Sequence, residues 1–366
     1  MKILHILTDR NIGGAGRHLC YLLEAADREQ NEYRVLLPAG ATLTPRLRAL
    51  GVPVTEVEGM NASRCPRAYR ALLAAIREAR PDVVHTHSCY TAQKAAKRAG
   101  VPCRVLTKHC SDLPPRRQRL FPARLWARLT YYRGLSAAIA TDDSAAEALR
   151  AAGCPAEKIH IIYNGCPAPR EVSPEETEAL RQKYGIPAGV FTVGWFGRME
   201  PVKNPVCLLQ AAALALRVTP DLHFLFCGDG SLRRELEETA ARYGIRGNVT
   251  FAGFVEDTAP YLSLCHVIAN TSVGTETSSL SLCEAMARGA VPFVSDIGGN
   301  ANLIGQSGIV TEPDNPAALC NLFLEFARDP GQTAAYSARA RKRYAERCTA
   351  ARMAKETEEL YDSFSG

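Results

Sequence analysis

The sequence of 366 residues lacks any apolar run long enough to span a bilayer, so no membrane-spanning helix is expected. It also lacks a C-x-x-C pair, which argues against a zinc ribbon and a thioredoxin-like redox motif. The first residues, MKILHILTDRNIGG, have no long hydrophobic region and no small-residue cleavage site, and they predict a first strand and not a signal peptide. The thirteen cysteines are scattered and odd in number, which favours reduced, buried thiols in a cytoplasmic protein.

The charges are unevenly distributed along the chain. Residues 1–165 contain 25 Lys and Arg against 14 Asp and Glu, whereas residues 166–366 contain 19 against 24. The first half is therefore basic and the second acidic, in an otherwise ordinary globular composition. A basic half is typical of a surface that meets nucleic acid, an anionic membrane or an anionic substrate.

Short apolar runs alternate with amphipathic stretches in the first half, which predicts parallel βαβ units covered on both faces. The expected helices are 16–26 and 67–81, and the expected strands are 2–8, 33–40, 82–88, 103–110, 137–143 and 159–165.

The segment CPAPREVSPEE at 166–176 has three prolines and no apolar period, which predicts a linker. The alternation then restarts, so the expected fold class is α/β, with two doubly wound Rossmann-like domains facing across a cleft. The domains are placed at 1–166 and 167–345, with a C-terminal helix at 346–366 that packs back on the first domain. The expected elements of the second half are strands at 190–197, 222–228, 249–254, 266–272, 291–296 and 307–312, helices at 204–217, 231–243 and 279–288, and a helical region at about 315–363.

The segment NIGGAGRHL at 11–19 places glycines between the first strand and the first helix. Such a loop lets the backbone approach an anion at a helix N-terminus, and Gly14 and Gly16 are candidate positions. The motif is not G-x-G-x-x-G, and the second strand ends in LLPAG without the acidic residue that holds ribose in NAD enzymes. A dehydrogenase is therefore disfavoured, and a tight turn without a ligand is the alternative.

Two loops of the second half place further residues at the ligand-binding edge of a sheet. GWFGRMEPVKNP at 194–205 contains Gly197, Arg198 and Lys203 after a predicted strand, and two cations there suit a diphosphate. FCGDGSLRREL at 226–236 repeats the strand–glycine–helix arrangement with Gly228 and Gly230. A solvated basic loop remains the alternative for the first of these loops.

Two glutamates bracket a hydroxylic segment in TSVGTETSSLSLCEAMARG, at 271–289. Glu276 lies before a predicted helix that Ser278 or Ser279 would cap, and Glu284 lies about 8 Å along its axis. A helix N-terminus attracts anions, and a carboxylate beside it can accept hydrogen bonds from a sugar diol. The pattern therefore favours a ligand that has both an anionic and a hydroxylic part.

Together these segments resemble the second domain of the family 4 retaining glycosyltransferases, which have the GT-B fold. The matching segments are GRMEPVKNP, CGDGSLRREL, VTFAGFVEDTAPYLSLCHVIANTS and ETSSLSLCEAMARGAVPFVSDIGG. In the first half, GGAGRHL, DVVHTHS, VLTKHCSD and IIYNG resemble landmarks of the same family. The resemblance spans almost the whole chain and keeps the order of the motifs.

The resemblance implies roles for individual residues. Arg198 and Lys203 would hold the diphosphate of a nucleotide-sugar, Glu276 the transferred sugar and Glu284 the ribose. His109 would contact the sugar from the first domain and, with Arg198, Lys203 and Glu276, completes the implied catalytic group. The other implied donor-binding positions are Gly14, Gly16, Gly197, Gly228, Gly230, Phe254, Val255, Thr277, Ser278 and Ser279.

The implied activity is the retaining transfer of a hexosyl or N-acetylhexosaminyl group from a nucleotide-diphospho-sugar, with a UDP-sugar as the expected donor. The acceptor would be a glycan or a lipid-linked glycan of surface polysaccharide or glycoconjugate synthesis, bound by the first domain. The sequence has no D-x-D motif, which metal-dependent GT-A enzymes normally present, so neither a metal nor a cofactor is expected. A GT-B-type nucleotide-sugar epimerase and a catalytically inactive nucleotide-sugar-binding subunit are the alternatives.

The sequence departs from the family pattern at two positions. The family usually has glycine where this chain has Thr277, and it often has glutamate where this chain has Asn302. The donor or the acceptor would be held somewhat differently here.

The segment PPRRQRLFPARLWARLTYYRG at 114–134 has six arginines interleaved with large apolar residues. From Pro122 onwards it predicts an amphipathic helix with Trp126 on the apolar side. Two interpretations stay open: peripheral contact with an anionic membrane on the cytoplasmic side, or a core-packed helix with a solvated arginine face. Nucleic acid is not an expected partner, since no nucleic-acid-binding module accompanies the charge. The residues assigned to membrane contact are Arg116, Arg117, Arg119 and Trp126.

His85 and His87 alternate in VVHTHS and therefore share one face of a strand. A metal-binding pair is the alternative, but no nearby cysteine or carboxylate completes a site in the sequence. We expect these histidines to line the cleft, with His87 as a candidate acceptor contact.

Overall fold

The computed structural model describes residues 1–60 and 66–364, which form two compact α/β units. The first unit contains Met1–Pro167 and Thr349–Gly366, and the second contains Ala168–Cys348. The boundaries expected from the sequence, after residues 166 and 345, lie close to these.

The first unit is built on a sheet of seven strands that all run parallel. Along this sheet the strands follow the order β3-β2-β1-β4-β5-β6-β7, where the bounds are β1 Lys2–Leu7, β2 Glu32–Pro38, β3 Val54–Val57, β4 Val83–His87, β5 Cys103–Lys108, β6 Ala137–Ala140 and β7 Ile159–Ile161.

The second unit has a parallel sheet of six strands in the order β10-β9-β8-β11-β12-β13. In each unit the order reverses between two adjacent strands, β1 and β4 in the first and β8 and β11 in the second, and ligands of open α/β sheets bind at such points. The bounds are β8 Phe191–Phe196, β9 Leu222–Cys227, β10 Val249–Gly253, β11 Val267–Asn270, β12 Val291–Ser295 and β13 Ile309–Thr311.

Helices connect the strands and cover both sheets, and the expected fold class of two doubly wound α/β units is confirmed. The α-helices are α1 Gly14–Ala25, α2 Thr44–Ala49, α3 Pro66–Ala79, α4 Tyr90–Ala99, α5 Arg116–Arg119, α6 Phe121–Ala127, α7 Asp143–Ala151, α8 Pro174–Tyr184, α9 Pro205–Leu216, α10 Arg233–Arg242, α11 Ala259–Ser263, α12 Leu280–Arg288, α13 Asn300–Ile304, α14 Pro316–Arg328, α15 Pro330–Arg347 and α16 Ala350–Asp362. A π-helical turn at Arg128–Tyr132 continues α6, and short 3₁₀ turns lie at Ala156–Lys158, Pro201–Lys203 and Arg246–Asn248.

The strands of both sheets are largely buried because helices cover both faces. In the second unit the rings of Phe293 and Phe323 stack at 5.9 Å, and Phe326 meets Phe293 edge to face at 4.8 Å. The apolar runs that predicted the strands are therefore the runs that form the two cores. No helix of the described residues has the length and apolarity needed to cross a bilayer.

The C-terminal helix α16 belongs to the first unit. Its Tyr361 is buried, and the hydroxyl lies 2.5 Å from Nδ1 of His85 on β4. Glu358 accepts hydrogen bonds from the backbone of Asp27, at 2.8 Å, and from the hydroxyl of Tyr33. The start of the helix is fixed where the backbone N–H of Ala350 donates to the carbonyl of Cys166 at 2.9 Å.

Gly165 permits this docking, because a Cβ added there would lie 2.2 Å from the carbonyl oxygen of Thr349. Gly165→Ala is expected to lower the free energy of unfolding by about 1–3 kcal/mol, as overpacking does in a close-packed interior. Gly247→Ala is the control, since an added Cβ would meet no atom within 4 Å there. Chemical denaturation of both variants measures the difference. Equal stability of the two variants would show that the backbone at Gly165 adjusts without cost.

Candidate functional site

The charged residues Arg198, Lys203 and Glu276 lie in the loops that follow β8 and β11, on both sides of the point where the strand order reverses. Thr271, directly after β11, joins the two loops, because its hydroxyl lies 2.8 Å from the carbonyl oxygen of Asn204 and 3.0 Å from that of Lys203. The indole N–H of Trp195 donates to the same hydroxyl at 3.1 Å. Trp195 of β8 therefore orients the Thr271 hydroxyl, which in turn fixes the loop at Lys203 and Asn204.

Lys203 ends the 3₁₀ turn Pro201–Lys203, and Asn204 follows in a left-handed conformation with φ 45°. The Asn204 side chain then caps α9 by accepting from the backbone N–H of Cys207 at 3.3 Å. Asparagine tolerates this conformation better than most residues, so the sequence KNP turns the chain immediately after the lysine.

The lysine reaches Glu276, whose Oε1 lies 2.6 Å from Nζ of Lys203. The same oxygen accepts hydrogen bonds from Ser272 Oγ at 2.5 Å and from Asn270 Nδ2 at 3.2 Å. The Glu276 side chain is only 7% exposed and that of Lys203 is 24% exposed. An ammonium group has three N–H donors, so Lys203 can hold Glu276 and still donate to a second anion.

The loop after β12 fixes the backbone of Glu276. Gly298 has φ +58°, and a Cβ there would lie 1.9 Å from the carbonyl oxygen of Glu276. The hydroxyl of Ser295 donates to the carbonyl of Ser272 at 2.6 Å, which ties the two loops at a second point. Sequence reasoning did not assign Gly298 to the site, although its place in a Gly-Gly pair after a strand marks a close approach.

Glu284 lies inside α12 and is buried, with its Oε2 accepting from the hydroxyl of Thr258 at 2.9 Å. Ser279 occupies the N-cap position of α12, as predicted, but its side chain makes no capping hydrogen bond and lies 3.0 Å from Oγ of Ser281. Ser278 is buried and Thr277 is half-buried, both before the first turn of α12. The hydroxylic segment therefore separates two carboxylates that are both buried.

Arg198 is exposed in the loop after β8. Hydrogen bonds from Ser231, together with the nearby Arg198 guanidinium, lower the pKa of Glu200. Position 228, beneath this loop, requires glycine because an added Cβ would lie 1.8 Å from the carbonyl oxygen of Gly197. A Cβ added at Gly230 would likewise lie 2.5 Å from the carbonyl oxygen of Met199. Close backbone packing alone therefore requires glycine at 228 and 230, and the donor contacts expected of Gly197, Gly228 and Gly230 stay predictions.

Phe254 and Val255 line a cavity of the second unit, beside Leu180 and Lys183 of α8 and Tyr261 of α11. Phe254 is 63% exposed, whereas phenylalanine side chains are most often buried in the core of a protein. Beside the cavity, Arg170 forms ion pairs of 2.5 Å with Glu176 and 2.6 Å with Asp257. These pairs fix the start of α8 against the loop that precedes α11.

In the first unit, Gly14 begins α1, and Gly13 occupies its N-cap position without a side chain to cap it. A Cβ added at either position would meet no atom within 4 Å, whereas one at Gly16 would contact Leu43 at 3.6 Å. Packing therefore does not require glycine at the first two positions, and the helix N-terminus is open there.

Beside this helix lies a histidine layer of five residues, which are His5, His18, His85, His87 and His109. The rings contact one another in series, with centroid distances of 4.7 Å for His85–His87, 5.1 Å for His87–His109 and 4.7 Å for His18–His109. Three of these residues were expected at the site from the sequence, whereas His5 on β1 and His18 on α1 were missed. The parallel register brings His5 beside His85 of β4, and the fold brings His18 beside Asn164.

Hydrogen bonds orient the rings of the histidine layer. Nε2 of His87 lies 3.2 Å from Nδ1 of His5, and Nδ1 of His87 lies 2.9 Å from Nε2 of His109. Nδ1 of His18 lies 2.8 Å from Oδ1 of Asn164. Both nitrogens of His85 are bonded to hydroxyl groups, those of Tyr361 and Thr107.

Burial disfavours the charged form of every ring in the layer. It lowers the pKa of His5 to about 3, helped by the charge of His18, and lowers that of His18 to about 4 against the opposing hydrogen bond to Asn164. Burial and the neighbouring histidines hold the pKa values of His85, His87 and His109 well below the ordinary value. All five rings are therefore neutral at pH 7.

From Pro122 onwards the basic segment is helical as predicted, with α6 continued by the π-helical turn, and the short helix α5 lies before it. Phe121 is 78% exposed, Trp126 57% and Leu129 51%, whereas Tyr132 is buried. The core-packed interpretation is therefore wrong for most of the apolar side and holds at Tyr132, beside which Ala127 and Tyr131 pack against the same cluster. The arginines at 116, 117 and 119 are exposed beside this apolar surface.

Both units match models of glycosyltransferase families. Residues 12–168 match the family described as Glycosyltransferase Family 4, and residues 190–329 match the one described as Glycosyl transferases group 1. The D-inositol 3-phosphate glycosyltransferase of Streptomyces scabiei is 27% identical over 363 residues, covering 87% of this chain and 80% of that protein. The 2-deoxystreptamine glucosyltransferase of Streptomyces kanamyceticus is 25% identical over 305 residues, covering 78% of each chain.

Solved structures share the architecture. Anabaena HepE in complex with UDP and glucose superposes with a TM-score of 0.84 at 25% identity, over 99% of this chain and 100% of that one. WaaG, a glycosyltransferase involved in lipopolysaccharide biosynthesis, gives a TM-score of 0.72 at 17% identity, over all of both chains. The expectation of the GT-B fold is confirmed.

The histidine layer makes the stability of the first unit sensitive to acid. Below about pH 6.5 the unfolded chain binds protons at these rings and the folded chain does not, so the free energy of unfolding falls as the pH falls. Between pH 7.5 and 5.5 the expected loss is about 1.4 kcal/mol for each ring that stays neutral in the folded state.

Urea denaturation in EDTA at the two pH values measures this loss. His5→Gln is expected to reduce the difference between the two pH values by the contribution of one ring, whatever it does to stability at pH 7.5. Equal free energies of unfolding of the unmodified protein at both pH values would contradict the prediction.

Proposed function

Because the chain is a glycosyltransferase of the family 4, group 1 type, we propose that it transfers a hexose or N-acetylhexosamine from a UDP-sugar to a glycan or lipid-linked acceptor. The observation that carries the proposal is the Lys203–Glu276 pair, in which a cation from the loop after β8 and a carboxylate from the loop after β11 are held side by side. The complex of HepE with UDP and glucose supports the choice of nucleotide.

In the proposed reaction, the bond between the anomeric carbon and the phosphate oxygen breaks, and UDP leaves with the electron pair. The acceptor hydroxyl oxygen bonds to the same carbon, and its proton passes to a phosphate oxygen of the leaving UDP. Lys203 and Arg198 stabilise the negative charge that develops on the diphosphate, and the N-terminus of α12 adds to this field. Neither a metal nor a cofactor takes part, and the anomeric configuration is retained as the family resemblance implies.

The two buried carboxylates have separate roles in the proposal. Glu276 binds hydroxyls of the transferred sugar, and hydrogen bonds from Lys203, Ser272 and Asn270 hold its carboxylate in position before the donor binds. Glu284 binds the ribose hydroxyls, with Thr258 fixing its second oxygen. The exposed ring of Phe254 offers a stacking surface to the base.

The acceptor class comes from the first unit and not from the relatives, which are named for acceptors as different as an inositol phosphate and 2-deoxystreptamine. The exposed surface of Phe121, Trp126 and Leu129 is flanked by arginines at 116, 117 and 119. Aromatic and aliphatic side chains beside arginines suit the interface of an anionic bilayer. We therefore include peripheral contact with the cytoplasmic face of a membrane, and a role in surface polysaccharide synthesis, in the proposal.

Nucleotide binding and turnover measured side by side test the two carboxylate roles. Glu276→Gln is expected to leave the affinity for UDP within about twofold and to lower turnover of the matching UDP-sugar by about 100-fold or more, because a charged contact to the reacting sugar is lost. Glu284→Gln is expected to weaken UDP and UDP-sugar alike by about 10-fold or more, because both contain the ribose. Glu238→Gln, an exposed glutamate of α10, is the matched control.

The donor for this test is chosen by thermal shift with UDP, GDP, ADP and their sugars in EDTA, since a ligand at a hundred times its Kd stabilises by about 2.7 kcal/mol. Binding without hydrolysis or transfer of any nucleotide-sugar would favour an inactive binding subunit. Release of an epimerised nucleotide-sugar would favour an epimerase. Equal loss of UDP affinity in Glu276→Gln and Glu284→Gln would remove the assignment of Glu276 to the sugar.

Cosedimentation with phosphatidylglycerol vesicles tests the membrane contact. The unmodified chain is expected to bind at low salt and to dissociate as salt rises, because the attraction is electrostatic. Replacement of Arg116, Arg117 and Arg119 by Gln is expected to weaken binding by about 1 kcal/mol per arginine.

The matched control replaces three exposed arginines elsewhere on the first unit, Arg77, Arg98 and Arg150, by Gln. The net charge changes equally, so only position distinguishes the two triple variants. Equal loss in both would show that the net charge attracts the chain to the vesicle and not the basic segment. No binding of the unmodified chain at low salt would end this part of the proposal.

A further inference from the structure

Five of the eight histidines lie in one layer of the first unit, and the family resemblance implies a role in the reaction for only one of them, His109. Within the layer, His18, His87 and His109 each offer one ring nitrogen, and the three nitrogens lie within 4.8 Å of one another. We propose that these three histidines bind a divalent transition metal ion of the Zn²⁺ or Co²⁺ type.

The nitrogens are close to the spacing that such an ion needs. Around a tetrahedral zinc with Zn–N bonds of about 2.0–2.1 Å, ligand nitrogens lie about 3.3 Å apart. Nδ1 of His87 and Nε2 of His109 are already 2.9 Å apart, so only a small ring movement would separate them enough to share an ion. Three histidines and one water form a ligand set that zinc adopts in proteins.

The lone pairs of these nitrogens can be assigned from their hydrogen bonds. The amide oxygen of Asn164 can only accept, so Nδ1 of the neutral His18 carries the proton and Nε2 carries the lone pair. Nε2 of His87 can carry the ring proton and donate a hydrogen bond to Nδ1 of His5, which leaves the lone pair on Nδ1 of His87 for the ion. Each ring remains neutral, and only the positions of the ring protons change.

Asn164 and His5 then act as the outer partners that orient metal-binding histidines. This feature distinguishes the site from a second group of three, His5, His85 and His87, whose ligand nitrogens lie equally close. His85 already uses both nitrogens, at 2.5 Å to Tyr361 and 2.6 Å to Thr107. Binding a metal there would break a buried hydrogen bond, so we place the ion at His18, His87 and His109.

The site has an approach from solvent, because His109 is half-buried while His18 and His87 are buried. The family resemblance assigns His109 to the transferred sugar, and a metal on its Nε2 would take that nitrogen from a sugar hydroxyl. A metal would then inhibit transfer, a consequence that rests on the proposed function. The binding site itself does not, and it is tested without nucleotide.

Titration of the metal-free chain with CoCl₂ in the absence of nucleotide tests the site. One Co²⁺ per chain is expected by calorimetry, with the visible absorption of tetrahedral cobalt and without the intense near-ultraviolet band of a thiolate ligand. His18→Gln and His87→Gln are expected to weaken binding more than 100-fold. Asn164→Ala is expected to weaken it about 10- to 100-fold, as loss of an outer partner does.

His160→Gln in the first unit and His266→Gln in the second are the controls and are expected to bind Co²⁺ like the unmodified chain. Circular dichroism and thermal unfolding without metal show which variants are folded. The unmodified chain provides a measurement that needs no variant, since Co²⁺ should broaden the NMR signals of the three ligand rings and leave that of His266 sharp. Less than one equivalent bound, a thiolate band, equal affinity in a folded His18→Gln, or broadening of His266 would each overturn the proposal.

Discussion

The candidate donor site depends on one carboxylate oxygen, Oε1 of Glu276, which accepts from Lys203, Asn270 and Ser272. A carboxylate that is 7% exposed is costly unless it is paired and hydrogen-bonded, and these three donors supply both. They come from the loop after β8, the end of β11 and the residues just beyond it. The hydrogen bonds that stabilise the buried Glu276 carboxylate therefore also join the two loops on either side of the point where the strand order reverses. Replacement of either charged partner would leave the other partly buried without its counter-charge.

The two units share a topology and differ in the chemistry placed at the same position. In the second unit the loops beside the reversal of strand order contain an ion pair, whose charges suit an anionic ligand. In the first unit His5 of β1, His87 at the end of β4 and His109 just after β5 contribute neutral rings that hydrogen-bond to one another, with pKa values held low by burial. Neutral imidazoles provide lone pairs and ring faces instead of charge, so the ligands proposed for this unit are hydroxyl groups or a metal ion, whereas the ligand proposed for the other unit is an anion.

The sequence predicted the elements whose apolar pattern is strong, and it failed where the pattern is weak or the contact is distant. Strand β3 was missed because it is a short, half-exposed edge strand, and α4 because its buried face consists mainly of alanines. Lys203 and Glu276 could be assigned to one site from their places after strands, but their contact joins residues 73 positions apart. His18 lies in the motif NIGGAGRHL but was not assigned to a site, since its partner Asn164 lies 146 positions away and only the fold brings them together.

The glycines of the motifs divide into two physical classes, and the division decides what a loss of activity would mean. At Gly228 and Gly298 an added Cβ would strike a carbonyl oxygen of a neighbouring loop, so the backbone itself needs glycine there. At Gly14 an added Cβ would meet nothing, and alanine suits a helix better than glycine does. A loss of activity in Gly228→Ala would therefore report a distorted loop. The same loss of activity in Gly14→Ala, at unchanged stability, would indicate that a bound substrate comes close to the backbone at the start of α1.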